Sequence, residues 1–114
     1  MADIFLWAYI YGKECAMKIN DIPEAFSVTL RLKILSCLIT DSKTFNEVLD
    51  ITGATKGNLS TQLLKLENWG YLTSCKRIEN RKTKTTYTIT TFGLRQFEEY
   101  VNLLQRILNP PFES

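Results

Sequence analysis

The sequence of 114 residues contains no histidine. A Ser-His-Asp triad, a Cys-His pair and zinc bound by imidazole are therefore impossible within this chain. The three cysteines, Cys15, Cys37 and Cys75, are far apart and show no Cys-x-x-Cys spacing, which argues against both a disulfide framework and a thiolate metal site. We therefore expect a protein of the reducing cytoplasm that holds no metal or other cofactor.

Glycine and proline are also scarce, with 5 and 3 residues, which excludes collagen-like and low-complexity chains. Long apolar runs are missing too, because the run from Ile4 to Tyr11 spans only eight residues and follows Asp3 instead of a basic cluster. Such a run is too short to cross a bilayer and lacks the basic start of a signal peptide. With 45% hydrophobic residues the chain has enough apolar material for one core. We predict one soluble domain without membrane contact.

Basic residues are unevenly distributed along the chain, although the net charge is only +2. Residues 1–52 carry 5 Lys/Arg against 7 Asp/Glu, whereas residues 53–114 carry 9 against 5. The excess is concentrated between positions 55 and 84, which hold seven basic and two acidic residues. A local excess of this size indicates a surface that binds a polyanion, and the alternative is a solvated face with scattered charge.

The first clear periodic element is a helix predicted over 25–39. Four apolar residues recur there at helical spacing: Leu30, Ile34, Leu35 and Leu38. Arg31 and Lys33 lie between them, so the pattern predicts an amphipathic helix that buries one stripe.

Two further helices follow closely. The second is predicted over 44–50, where Thr44 and Glu47 form a capping-box pattern. The third is predicted over 55–69, with Thr55 as its N-cap. Its buried face is defined by three leucines: Leu59, Leu63 and Leu66.

A β-hairpin is predicted after Gly70, which is well placed to end the third helix in a left-handed conformation. Residues 71–78 and 84–90 are rich in β-branched and aromatic side chains, and the polar residues 79–83 form the predicted tip. Two hairpin residues alternate onto one face and are expected in the core: Tyr87 and Ile89.

The last helix, predicted over 91–109 and capped by Thr90, is apolar on more than one face, and residues 110–114 form a tail. One domain cannot bury all of this surface, so we predict a homodimer. The N-terminal apolar segment 1–17 could support the same interface. The predicted interface residues are Phe5, Trp7, Leu94, Phe97, Val101, Leu104, Ile107 and Leu108.

The order helix, short helix, helix, hairpin, helix is the plan of a winged helix-turn-helix, a mostly α fold with a small β-hairpin. Residues 31–35, 57–63, 66–72, 81–87 and 89–93 resemble the stand-alone winged-helix transcriptional regulators related to the MarR-like and ArsR-like repressors. The resemblance implies a DNA-binding domain over 18–90 and a C-terminal dimerisation helix over 91–109.

The third helix is then the candidate recognition helix. Its exposed polar residues are of the types that contact bases and phosphates: Thr55, Lys56, Asn58, Ser60, Thr61, Gln62 and Lys65. The Gln62 amide is suited to a paired hydrogen bond with adenine N6 and N7. The resemblance implies that Ser60, Thr61 and Gln62 approach DNA. The alternative is the ordinary polar face of a soluble helix.

The hairpin is the candidate wing, over 76–85. It carries five basic residues that could contact phosphates or enter a minor groove: Lys76, Arg77, Arg81, Lys82 and Lys84. The alternative is that its lysines prevent edge-to-edge pairing of the sheet.

No catalytic arrangement is present, because the neighbouring carboxylates Glu98 and Glu99 point apart on a helix. Cys37 and Cys75 are expected to act as small hydrophobic residues. The sequence therefore predicts no enzyme but a dimeric transcriptional regulator that binds double-stranded DNA specifically and represses by occupying a promoter. The alternatives are a winged-helix module for protein–protein interaction and a regulator that responds to a small molecule, whose effector the sequence leaves open.

Overall fold

The computed structural model describes residues 17–108, which form four α-helices and a small antiparallel sheet. The elements are α1 (Thr29–Leu38), β1 (Lys43–Thr44), α2 (Phe45–Thr52), α3 (Lys56–Asn68), β2 (Leu72–Glu79), β3 (Lys82–Ile89) and α4 (Thr91–Leu108). This confirms the predicted mostly helical winged-helix fold with its C-terminal helix. Phe5 and Trp7, predicted for the dimer interface, lie outside the described residues.

The start of the first helix differs from the prediction. A single 3-10 turn, Glu24–Phe26, follows Pro23, and both the backbone N–H and the hydroxyl of Ser27 donate to the Glu24 carbonyl, at 3.1 and 2.8 Å. Val28 is then extended, with φ −122°, so α1 begins only at Thr29. The β-branched side chain of Val28 favours this extended backbone, which separates two helical segments that the apolar periodicity had joined.

The caps of α2 agree with the prediction. The Thr44 hydroxyl accepts from the Glu47 N–H at 3.2 Å, and the Glu47 carboxylate accepts from the Thr44 N–H at 2.9 Å. These two bonds satisfy N–H groups that have no partner inside a helix. The backbone hydrogen bond from Thr44 also lowers the pKa of the Glu47 carboxyl. The second helix therefore begins where its sequence pattern indicated.

The ends of α3 are confirmed as well. The Thr55 hydroxyl accepts from the Asn58 N–H at 3.2 Å. At the other end Gly70 has φ +86°, and the N–H groups of Gly70 and Tyr71 donate to the Glu67 and Leu66 carbonyls at 3.0 and 2.9 Å. This is the Schellman arrangement that a left-handed glycine permits, and it turns the chain directly into β2.

The sheet has three strands in the order β1-β3-β2, and only two were predicted. β1 contains two residues, with Lys43 opposite Tyr87, and so short a strand leaves no pattern in the sequence. The hairpin tip is also tighter than the predicted 79–83. Asn80 and Arg81 alone form the turn, both with positive φ (51° and 66°), which is the backbone of a type I′ turn. Its twist matches that of the strands, so both strands continue to the turn.

The core lies between the helices and the sheet. Its fully buried side chains come from α1, α2, α3 and β2: Ile34, Leu35, Leu38, Val48, Leu59, Leu63, Leu66 and Leu72. Phe26 extends this core towards α4, because its ring stacks on Tyr100 at 4.6 Å between centroids and meets Phe97 edge-on at 6.2 Å. Phe97, predicted for the dimer interface, is therefore also part of the core of its own chain.

The close contact between the start of α4 and the backbone of Tyr71 depends on a glycine, Gly93. The Thr90 hydroxyl caps this helix by accepting from the Gly93 N–H at 2.9 Å, while the Thr90 N–H donates to the Tyr71 carbonyl at 2.9 Å. Helix and strand approach so closely that a Cβ on Gly93 would lie 2.4 Å from the Tyr71 oxygen. Only glycine fits this contact.

Gly93→Ala is therefore expected to destabilise the fold by about 1–3 kcal/mol, because the backbone of Tyr71 must move. Gly57→Ala is the matched control. Gly57 lies inside α3, has no positive φ, and its Cβ would meet nothing within 4 Å, so alanine should stabilise α3 by about 0.5–1 kcal/mol. Urea unfolding of both variants measures the difference. Equal stability of the two variants would contradict the close contact.

The cysteines differ in their surroundings. Cys37 is half-buried, its thiol donates to the Ile34 carbonyl at 3.1 Å, and burial raises its pKa. Cys75 is exposed on β2, which corrects the expectation that it packs as a hydrophobic residue. It lies opposite Thr86 on the face of the hairpin that is turned away from the core.

None of the helices within 17–108 combines the length and apolar character needed to cross a membrane.

Candidate nucleic-acid interface

The outer face of α3 is polar and open. Leu59, Leu63 and Leu66 are buried, and this anchors one side of the helix. The opposite side exposes six of the seven predicted contact residues: Thr55, Lys56, Asn58, Ser60, Thr61 and Lys65. The structure therefore places these residues together on one surface, as the amphipathic pattern predicted.

Two hydroxyls on this helix already have local roles. Thr55 uses its side-chain oxygen to cap the helix, and the Thr61 hydroxyl donates to the Gly57 carbonyl one turn earlier, at 3.0 Å. A hydroxyl bound in this way keeps acceptor lone pairs. Lys56, Ser60 and Lys65 make no side-chain hydrogen bond with any other residue of the described part of the chain. Their donors are thus available to a ligand.

Gln62 differs from the other candidates because it is half-buried. Its side-chain oxygen accepts a hydrogen bond from Arg31 Nε at 2.7 Å, and its amide nitrogen lies 3.4 Å from Asn58 Oδ1. The sequence indicated a freely exposed amide that offers both groups to adenine. In the structure the oxygen faces the protein and the nitrogen faces the outer side of α3.

The wing is exposed from Cys75 to Lys84. Paired residues of an antiparallel ladder project from the same face, so the register divides the basic residues. Arg77 opposite Lys84, and Lys82 opposite Glu79, share the face turned away from the core. Lys76 lies on the other face, in line with the core residues, and Arg81 is at the turn. The predicted wing residues therefore form two groups instead of one.

One acidic residue lies among the wing cations. Glu79 accepts from Lys84 Nζ at 3.5 Å, and both side chains are more than half exposed. An exposed ion pair of this kind contributes little to stability. It does offset part of the positive potential of the wing, where five basic residues and this one glutamate lie within 76–85. The remaining excess is still strongly positive.

α3 and the hairpin are joined at their bases. The Ser74 hydroxyl on β2 donates to the Glu67 carboxylate near the end of α3, at 2.8 Å. Burial, and then the negative charge of Glu67, raise the pKa of Tyr87 on the adjacent strand. Together with the turn at Gly70, these contacts hold α3 and the hairpin as one unit. The two basic surfaces therefore lie on elements that are directly connected.

Two residues near this surface were not assigned from the sequence. Arg31 is only 4% exposed although the pattern placed it on the polar side of α1. A signal was available, because Arg31 precedes Ile34 and Leu35 by three and four residues and so lies on the buried stripe. Ile78 is 79% exposed beside the basic residues of the wing, and its strand periodicity alone would have predicted the core-facing side.

A second surface is formed by the outer side of α4. Val101 and Leu104 are more than a third exposed, Ile107 is 49% exposed and Leu108 is 76% exposed. In contrast, Leu103 is buried and Leu94 is half-buried within the chain. Four of the predicted interface residues thus form an apolar face that residues 17–108 of one chain do not cover.

Comparison with known proteins agrees with this architecture. The family described as winged helix DNA-binding domain matches residues 30–108. An uncharacterised protein of Methanocaldococcus jannaschii is 32% identical over 79 residues, which cover 68% of this chain and 86% of that protein.

Two solved structures are also similar. A transcriptional regulator homologue from Pyrococcus horikoshii OT3 is 26% identical with a TM-score of 0.66, over 70% of this chain and 80% of the other. A MarR-family transcriptional regulator from Enterococcus faecalis V583 is 19% identical with a TM-score of 0.71, over 83% and 86% of the two chains. At this low identity the second match shows the shared fold.

Proposed function

The chain belongs to the family of winged helix DNA-binding domains, and from that premise we propose that it is a dimeric, sequence-specific regulator of transcription. Family and fold are those of DNA-binding transcriptional regulators and not of enzymes. In the proposed complex α3 enters the major groove, and the wing follows the phosphate backbone or the minor groove. Base contacts would then come from α3 and most phosphate contacts from the wing.

The observation that carries this proposal is the position of the positive charge. Polar and basic side chains occupy the open face of α3, and further basic side chains extend from it along a hairpin that is joined to α3 by the hydrogen bond between Ser74 and Glu67. The major groove is about 12 Å wide and admits one helix. A helix in the groove with a cationic hairpin beside it gives both base contacts and salt-dependent phosphate contacts.

The dimer is supported by the apolar face of α4. Val101, Leu104, Ile107 and Leu108 would meet their symmetry mates across a two-fold axis, since an isologous interface uses the same patch on both chains. The N-terminal residues Phe5 and Trp7 are proposed to extend this contact. Two recognition helices in such a dimer would read inverted half-sites roughly 34 Å apart.

The proposed mode of regulation is occupation of promoter DNA by the dimer. A dimer bound to an inverted repeat within a promoter excludes polymerase, so we propose a repressor of the MarR-like or ArsR-like kind. It would act in the reducing cytoplasm, where both cysteines of the described chain remain thiols.

The test is selection of bound sequences from a random duplex pool, followed by titration of the best duplex across a salt series. The expected result is an inverted repeat and a log–log salt dependence with a slope of about −0.9 per phosphate contact. An unrelated duplex should bind more weakly, with a similar slope. Failure to enrich any sequence, together with binding that does not respond to salt, would contradict the proposal and favour a protein-interaction module.

Removing the acidic residue of the wing gives a further prediction. Glu79→Gln is expected to tighten binding to every duplex and to steepen the salt slope by up to about 0.9 per wing, because Lys84 is released from its ion pair. Asp50→Asn is the control, since it makes the same charge change on the exposed side of α2. Equal affinities of the two variants would show that Lys84 stays away from phosphate.

A further inference from the structure

Arg31 is a buried cation that has no carboxylate partner among residues 17–108. Within residues 17–108 its charged group forms no ion pair. Its Nη1 donates to the Glu24 backbone carbonyl at 2.7 Å and lies 3.5 Å from the Ser27 hydroxyl, and its guanidinium lies 5.0 Å from the centre of the Trp69 ring. Burying a charge in this way is costly unless its donors are satisfied. The core alone gives no reason for an arginine here.

Among residues 17–108 Arg31 also contacts Gln62 on α3, whose Oε1 accepts from Arg31 Nε at 2.7 Å. A guanidinium has donors only. The Gln62 oxygen must therefore face Arg31, and the NH₂ group must face away from it. Glu24, Ser27 and Trp69 hold the guanidinium in place, so a rotation of the Gln62 amide would leave a buried donor without an acceptor.

We propose that Arg31 is a positioning residue that fixes the amide of Gln62 with its NH₂ group towards DNA, so that this residue reads hydrogen-bond acceptors on a base edge. This proposal rests on the proposed function. Guanine is the expected base, because its O6 and N7 are adjacent acceptors in the major groove. The paired contact with adenine N6 and N7, expected from the sequence, needs both amide atoms at the base.

The charge of Arg31 strengthens this arrangement. A cation that binds the carbonyl oxygen of an amide polarises the group and makes its N–H a better donor, and chains of hydrogen bonds strengthen one another in a protein interior. Asn58 continues the chain, because its Oδ1 lies 3.4 Å from Gln62 Nε2. The long distance leaves that N–H free to change partner when a base approaches.

Gln62→Glu is the decisive variant. The glutamate keeps an oxygen for Arg31 and adds an opposite charge, so the fold should unfold at the same or a higher temperature. Its second oxygen replaces the outward NH₂ group and accepts instead of donating. The selected base at this position should change from guanine to one with a donor, such as cytosine through N4. Asn68→Asp is the control, because it adds the same charge to an exposed position of α3.

Arg31→Met tests the positioning role itself. It should lower discrimination at the Gln62 position by roughly 5- to 150-fold while the salt slope stays constant, because a buried arginine contacts no phosphate. In a Gln62→Ala background the same change should add nothing to base preference, which a merely structural role would not predict. Circular dichroism confirms that each variant is folded, and Gln62→Glu keeps the test decisive if Arg31→Met unfolds.

The outcomes separate the two proposals. If the wild type binds no duplex, the proposed function is wrong and the role of Arg31 is overturned with it. If the wild type binds a selected site and Gln62→Glu keeps the same preferred base, only the positioning role is overturned. The positioning role is supported by a change of preferred base in Gln62→Glu that is absent from Asn68→Asp, together with a loss of discrimination in Arg31→Met that occurs only when Gln62 is present.

Discussion

Replacing Arg81, Lys82 and Lys84 together with alanine should weaken binding of every duplex by roughly 10²- to 10³-fold per wing at 0.1 M salt. Each lost phosphate contact flattens the log–log salt slope by about 0.9, so the expected change is up to about 2.7 per wing. Because Glu79 already pairs with Lys84 at 3.5 Å, the change in salt slope should be closer to that of two lost phosphate contacts than to that of three. A dimer carries two wings, so the change in slope doubles and the fold-change in affinity is squared if both are bound.

The fold should survive this triple substitution. All three side chains are exposed, and the hairpin is held by Leu72 and by the half-buried Tyr87 and Ile89. Arg81 already carries a Cβ at φ 66°, so alanine adds no new backbone strain.

The measurement is a titration of wild type and variant against one duplex across a salt series, with circular dichroism to confirm folding. The double variant Lys18→Ala, Lys33→Ala is the control, because both lysines are exposed outside the proposed interface. The salt slope of this control variant should be nearly the same as that of the wild type. If the triple variant and the wild type have equal slopes, the wing stays in solvent and the protein-interaction module becomes the better interpretation.

Leu104→Glu should convert the dimer into monomers, raising the dissociation constant by about 10³-fold or more. Leu104 lies at the middle of the apolar face of α4, and two-fold symmetry buries the new charge twice. An uncompensated buried charge costs on the order of 3–5 kcal/mol. Separation of the chains returns both carboxylates to water, so the monomer itself should remain folded.

Sedimentation equilibrium at micromolar concentration measures this change. The wild type should have about twice the chain mass of 13.2 kDa, and Leu104→Glu should have the mass of one chain. Asn46→Asp is the control, since it adds the same charge to an exposed position of α2, outside the apolar face of α4, and should leave the dimer intact. A wild type that remains monomeric would overturn both the dimer and the inverted repeat.

Local signals in the sequence were enough to predict most of the elements. The capping box of Thr44 and Glu47, the cap at Thr55 and the left-handed Gly70 all form as predicted, because each depends on residues within a few positions of one another. The leucine spacing of α3 predicted its buried face for the same reason. The alternation of Tyr87 and Ile89 identified the inner face of the hairpin.

Other features depended on contacts between distant segments. β1 exists only because Lys43 and Thr44 reach β3 more than forty positions later. Arg31 is buried, although its charge suggested the surface, because its partners come from two other segments, Glu24 in the turn before α1 and Gln62 and Trp69 in and at the end of α3. A periodic pattern records which side of a helix is apolar, but not whether a polar residue on that side will find partners.

The candidate site shows the same division. The sequence by itself determined which helix and hairpin carry the polar and basic residues, since composition and spacing are local properties. Only the tertiary structure decided that the Gln62 oxygen is bound to Arg31, that Glu79 lies beside Lys84, and that Phe97 packs on Phe26. The physical reason is that hydrogen bonds, ion pairs and ring contacts act over a few ångströms, and the fold alone brings such distant residues within that range.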